Sequence, residues 1–239
     1  MAKLSYSQAI RETIAQEMRR DERVFVMGED VEKLGGVYGC TRDLYKEFGT
    51  DRVRNTPISE SAIIGAALGA ASGGMRPIAE LMYWDFAFVA ADQIFNQVAK
   101  TRYVFGGHAK IPLVIRGQQG TGRGNAATHS QSLESLFMHI PGLKVVCPST
   151  PADAAGLLRT AIRLHNAYRL PEEMDDRTRM FCQILRDADK IDILRVNVET
   201  PMEQIYNVST EALRQSPVSP AVLDACGGRM VTREELCAL

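Results

Sequence analysis

The 239-residue chain predicts an α/β fold, a parallel sheet with helices on both faces, followed by a mainly helical C-terminal segment. Three observations carry this. Short apolar runs alternate with helical patterns through the first two-thirds of the chain, as strands and covering helices do in a parallel sheet. Residues 1–163 hold 17 of the 19 glycines, as expected of a turn-rich segment with close backbone approaches. Charge changes at the same place, with 19 basic against 16 acidic residues before it and 9 against 13 after it.

The elements follow in order. Ser5 to Arg20 has Ala9, Ile10, Thr13, Ile14 and Met18 at helical spacing, with Ser5 or Ser7 as cap. Val24 to Met27 is a buried strand closed by Gly28, and Arg52 to Pro57 is a second strand ended by proline. Ser59 to Gly73 is a small-residue helix, rich in alanine with Gly65 and Gly69. Ile78 to Met82 is a strand, and Phe86 to Val104 is an amphipathic helix. Leu113 to Ile115 and Leu143 to Cys147 are two more buried strands, and Pro151 to Arg163 is a helix. Another apolar strand is due next and none follows. Instead come a polar stretch, a helical pattern over Thr178 to Leu194 and a capped helix start near Val208.

Composition excludes several classes of protein. At 45% hydrophobic and 24% charged, the chain is neither disordered nor a coiled coil. It has no apolar run of membrane-spanning length and no secretory leader, and a net charge of -1 without a basic stripe argues against nucleic acid. Five scattered cysteines without CxxC spacing indicate reduced thiols and a cytoplasmic setting.

Four features can carry chemistry, each beside a plainer role. Gly28-Glu29-Asp30 sits at the carboxyl end of a strand, where open α/β sheets bind ligands, or is simply a solvated turn. Glu60 opens an apolar helix, as a reactive carboxylate or as a first-turn acid favouring the helix dipole. The stretch from Gly117 to Gly124 resembles a phosphate loop but lacks the Walker lysine-serine pair. His129 lies in a polar loop that suits either a catalytic or a structural histidine.

Taken together, the stretches GEDVEKLGGVYG, FGTDRVRNTPISESAIIGAALGAASGGMRPIAELMYWDF, DQIFNQVAKTRYVFGG and THSQSLESLFMHIPGLKVVCPSTPADAAGLL closely resemble one family. This is the β subunit of the thiamine-diphosphate-dependent 2-oxo acid dehydrogenases, the E1 group acting on pyruvate, branched-chain 2-oxo acids or acetoin. The resemblance implies a truncated transketolase-type pyrimidine-binding domain over residues 1–163. It implies that Glu60 binds N1′ of the aminopyrimidine and favours the imino tautomer, whose 4′-nitrogen takes the C2 proton. It places Ile58, Met82 and Phe86 around that ring and His129 near the reactive carbon, assisting transfer to lipoyl. Thr128 stands where family members usually carry glutamine. A separate E1 α subunit would hold magnesium and the pyrophosphate within an α2β2 heterotetramer, and a lipoyl-bearing E2 would take the acyl group. Backbone carbonyls matching Leu113, Ala161 and Ile162 would bind a monovalent cation such as K+, with further ligands at Leu164 and Asn166. The substrate would be a small 2-oxo acid whose identity stays open among the three, with a lean to pyruvate or acetoin.

Residues 164–239 read differently. AIRLHNAYRLPEEMDDRTRMFCQILRDADKIDILRVN and ETPMEQIYNVSTEALRQSPVSPAVLDA resemble the C-terminal part of an HD-type metal-dependent phosphohydrolase, with Asp189 matching that family's distant metal aspartate. The expectation is a chimera joined near residue 163, either a real gene or a sequence artefact. A fragment of a metal-dependent phosphohydrolase, or a non-catalytic fusion, is the alternative function. A chain built in this way is expected to be poorly stable.

Overall fold

The computed structural model describes residues 4–121 and 124–164, which fall in one compact unit. Four parallel strands, β1 (Val24–Gly28), β2 (Val53–Asn55), β3 (Arg76–Glu80) and β4 (Val114–Arg116), lie in the order β2-β1-β3-β4. Val26 pairs with Val53 on one side and with Ile78 on the other, and Ile78 pairs with Val114. Because β1 is central, its side chains alternate between two cores. Val24 and Val26 pack with Ile14, Ala15 and Met18 of α1 (Tyr6–Arg20), Leu44 of α2 (Leu44–Phe48), and Ile162 of α6 (Pro151–Leu164). Phe25 and Met27 face the other way, onto Ile63, Ile64 and Ala67 of α3 (Glu60–Ser72), and onto Ile94, Leu113 and Phe137. The expected α/β fold with helices on both faces is present.

Local chemistry sets the boundaries. Ser5 caps α1 through a full capping box with Gln8, so the helix begins at Tyr6. Gly28 ends β1 because nothing larger fits there: a Cβ would lie 2.6 Å from the Glu80 carbonyl oxygen of the neighbouring strand. Where one amphipathic helix is expected, the chain forms a 3-10 turn (Trp84–Phe88), a π segment (Gln93–Val98) and then α4 (Ala99–Val104). The π segment passes close to α3: Gln93 Oε1 is 3.0 Å from where a Cβ on Gly65 would sit.

The predicted strand from Leu143 to Cys147 is absent. Leu143 and Val145 pack onto the core while the adjacent Val146 and Cys147 are both exposed, so the segment does not alternate faces and forms no ladder on the three-residue β4. The short helices α2 and α5 (Glu134–Met138) were not expected. The helical tail, Asn166, Asp189 and the HD-type resemblance from residue 165 onward lie outside the described residues. Among the described residues no helix is long and apolar enough to cross a membrane.

Candidate functional site

The carboxyl ends of the parallel strands gather the polar groups. Gly28 and Glu80 are partners in register there, and chain connections diverge to opposite sides of β1, the geometry that opens a crevice in such sheets. Glu80 is buried and paired with Arg116 from the end of β4, with Cys40 beside them. The next residue after β1, Glu29, has its carboxyl pushed above the ordinary range by burial first and then by the nearby charges of Asp30 and Glu60.

Glu60 is the first residue of α3 and is only 7% exposed. Among the described residues its side chain has no hydrogen-bond or ion-pair partner. The helix dipole favours a carboxylate at this end, and its oxygens are not among the sealed, unpartnered atoms, so they can accept from a group outside the chain. Next to it, Ser61 Oγ donates to the Val89 carbonyl at 2.6 Å, and the Val89 N–H donates to the Phe86 carbonyl at 3.0 Å. These two bonds connect the Glu60 end of α3 to the turn that carries Phe86.

Phe86 in turn meets His129. Their rings lie edge to face with centroids 5.1 Å apart, and Tyr83 meets the same imidazole at 4.9 Å. Thr128 Oγ1 is 3.0 Å from His129 Nδ1, so this threonine hydroxyl touches the ring beside it. Met82 and Phe86 are half-buried on the connection following β3. Ile58, by contrast, is 76% exposed on the loop before α3 and packs on nothing in its own core. Thus Phe86 and His129 touch, Glu60 is linked to them through Ser61 and Val89, and Ile58 stands open to whatever binds there.

The carbonyls expected to hold a monovalent cation are arranged differently. Arg76 Nε donates to the Ile162 carbonyl at 2.9 Å, and its Nη2 donates to the carbonyls of Ile162 and Arg163. A fixed guanidinium therefore already satisfies the end of α6, as basic groups do at helix C-termini. A second cation at the Ile162 oxygen would sit against that charge, so these residues do not fit a bound potassium ion in this arrangement. Among the described residues no group of three or more His, Cys, Asp or Glu side chains is placed to hold a metal.

Residue-by-residue reading of the sequence did not single out Tyr83, Asp85, Asn125 or Gln131. Asp85 Oδ1 accepts from the Gln131 backbone N–H at 3.1 Å and from its side-chain Nε2 at 2.9 Å. Asn125 Nδ2 donates to Tyr83 Oη at 2.9 Å. No periodicity marks these residues, because the two segments that meet are some 40 positions apart in the chain.

The chain is similar to proteins of one family. The family described as the transketolase pyrimidine-binding domain matches residues 2–171. The β subunit of acetoin:2,6-dichlorophenolindophenol oxidoreductase from Cupriavidus necator is 57% identical over 171 residues, covering 67% of this chain and 50% of that protein. The pyruvate dehydrogenase E1 component subunit β of Rickettsia felis is 38% identical over 241 residues, covering 92% of this chain and 74% of that protein. A split-gene transketolase, described as an inactive β4 tetramer, superposes with a TM-score of 0.54 at 19% identity, covering 68% of this chain and 48% of that one, which shows the fold alone. The chain spans about half the length of several of the curated relatives it matches. The family match over residues 2–171 and these similarities show that the chain belongs to the transketolase pyrimidine-binding domain family, among the E1 β subunits of the 2-oxo acid dehydrogenases.

Proposed function

We propose that this chain supplies the pyrimidine half of a thiamine diphosphate site in the E1 component of a 2-oxo acid dehydrogenase. The observation that carries this reading is Glu60, 7% exposed at the head of α3, with no donor to its carboxylate among the described residues. The cofactor, when bound, supplies a nucleophilic carbon and an electron sink for decarboxylation. Glu60 would hold the proton at N1′ of its aminopyrimidine, the one atom where a carboxylate at the head of α3 strengthens the ring as a base. Phe86 and Met82 would give that ring an apolar wall, and Ile58 would be covered once cofactor and partner are in place. His129, fixed by Tyr83, Phe86 and Thr128, would assist passage of the acyl group to the lipoyl arm of an E2 partner.

An E1 α subunit would supply magnesium and the pyrophosphate contacts, completing an α2β2 assembly. The relatives named for acetoin and for pyruvate leave the substrate within the small 2-oxo acid and acetoin class. The monovalent-cation set at Leu113, Ala161 and Ile162 is not part of the proposal, for the reason given by Arg76. The similarities run to E1 β subunits rather than to phosphohydrolases, and the former reading is the one supported.

The test is to co-express the full chain with an E1 α subunit and follow thiamine-diphosphate-dependent CO2 release from pyruvate and from a branched-chain 2-oxo acid. Glu60→Gln is expected to lower turnover by about 100-fold or more, in the range typical of a lost acid–base group. Turnover unchanged in Glu60→Gln would overturn the assignment.

A further inference from the structure

One buried carboxylate is left without a task by the proposed function. Asp85 is 5% exposed and lies between Trp84 and Phe86 in the turn after β3. Its Oδ1 holds both the backbone N–H and the side-chain amide of Gln131, two residues beyond His129. Its Oδ2 is buried with no partner among the described residues.

The same short turn touches the histidine loop from two more directions. Tyr83 and Phe86 present to the imidazole at interplanar angles of 79° and 87°, and Asn125 reaches back to the Tyr83 hydroxyl. At the head of the histidine turn, Ala126 has φ 66°, a left-handed conformation that a Cβ disfavours. Such a backbone persists only where its surroundings over-determine it, and it is characteristic of functional sites. A buried carboxylate with one oxygen orphaned is moreover a poor device for stability, since the unmet acceptor is paid for in desolvation. Fold stability alone does not account for Asp85.

We propose that Asp85 is a positioning residue: by clamping the backbone at Gln131 it holds the His129 ring between Tyr83 and Phe86, in the orientation that acyl transfer requires. This rests on the role given to His129 above. Asp85 acts through Gln131 and is not placed against the reacting groups.

The test is residue-resolved amide hydrogen exchange on the full chain, well below its melting temperature, followed by steady-state kinetics of the complex with E1 α. Asp85→Ala is expected to speed exchange at Gln131 and its neighbours in 127–132 by about tenfold or more, with β1 and α1 unchanged. Asp85→Asn retains an acceptor at Oδ1 and is expected to restore protection. In the complex, Asp85→Ala should lower kcat for transfer to a lipoyl acceptor while leaving KM for the 2-oxo acid unchanged, and Asp85→Asn should recover most of it.

Unchanged exchange across 127–132 in Asp85→Ala would overturn the clamp. Should that variant not fold, the milder Asp85→Ser, whose hydroxyl is too short to reach the Gln131 N–H, decides: faster exchange confined to this loop supports the clamp, and no change overturns it. If the loop loosens while turnover stays at the parent level, Asp85 is not a positioning residue and the proposal fails, whereas parent turnover in His129→Ala would overturn the role given to His129 itself.

Discussion

At the scale of single residues, burial and charge decide which groups matter. Glu29 and Asp21 are both acidic and shifted in opposite directions. Arg23 holds Asp21 down to about 2, chiefly through a side-chain hydrogen bond, against the opposing pull of burial. Burial, followed by Asp30 and Glu60, pushes Glu29 up. A depressed carboxyl binds fewer protons folded than unfolded, so the stability Asp21 contributes is present above its unfolded value near 4 and is lost as pH falls towards 2. Glu29 works in the other sense, because its folded form keeps the proton longer and stability falls as pH rises past the unfolded value. Glu29→Gln is therefore expected to be more stable than the parent at neutral pH. That advantage should vanish below about pH 4, where both states of the parent are protonated. Urea titrations at pH 7 and at acid pH check this, and an equal difference at both would contradict it. Neither shift is legible in the text of the sequence, where Gly28-Glu29-Asp30 reads equally as a ligand turn or as solvation.

At the scale of elements, the α1–α6 pairing is fastened by a carboxylate that solvent cannot reach. Glu17 is 0% exposed and accepts from Arg163 Nε at 2.8 and 2.9 Å, with Arg20 Nε at 2.8 Å. The arginines left behind are about two-fifths exposed and can be rehydrated, so Glu17→Ala is expected to cost about 2 kcal/mol, chiefly the lost hydrogen bonds to a charged group. Denaturant unfolding measures it, and a loss under about 1 kcal/mol, the usual worth of a surface pair, would show that water screens the cluster. The long periodic elements were legible: α1, α3, α6 and β1 stand within a residue or two of their predicted bounds. The failures have physical reasons. Leu143 to Cys147 is an apolar run of strand length, yet hydrogen bonding to a neighbour rather than an apolar run makes a strand. Phe86 to Val104 has a helical period, but its close pass by Gly65 accompanies a π segment that periodicity does not encode. The His129 turn needs Asp85 and Tyr83 from a remote segment, so nothing local announces its geometry.

At the scale of the whole molecule, the apolar surface left open bears on stability. Tyr103, Val104 and Phe105 at the end of α4, Met138 at the end of α5, and Ile58 near Glu60 are all exposed, and among the described residues β4 is a sheet edge only three residues long. Open apolar surface and an unpaired edge are liabilities for a lone chain and are natural places for a partner to cover. The isolated chain is expected to melt below the range of about 45–65 °C usual for mesophilic domains, and to gain stability when an E1 α subunit is added. Differential scanning calorimetry checks both, and a cooperative melt of the lone chain within that range, unaffected by the α subunit, would contradict the expectation. The family was legible in the sequence because whole stretches such as TPISESAIIGAALGAASGG and THSQSLESLF match at once, while each short motif alone left two readings open.

If Glu60 accepts a proton-bearing group of the cofactor, as proposed, calorimetric titration of thiamine diphosphate into the complex of the full chain with E1 α shows it. The complex should bind the cofactor, and Glu60→Gln should weaken that binding by about tenfold or more, as expected for losing a charge-assisted hydrogen bond in a buried site. Its melting temperature without cofactor should be no lower than the parent's. Equal affinity of the two forms, or a Glu60→Gln complex that is destabilised before any cofactor is added, would mean that Glu60 serves the fold rather than the cofactor.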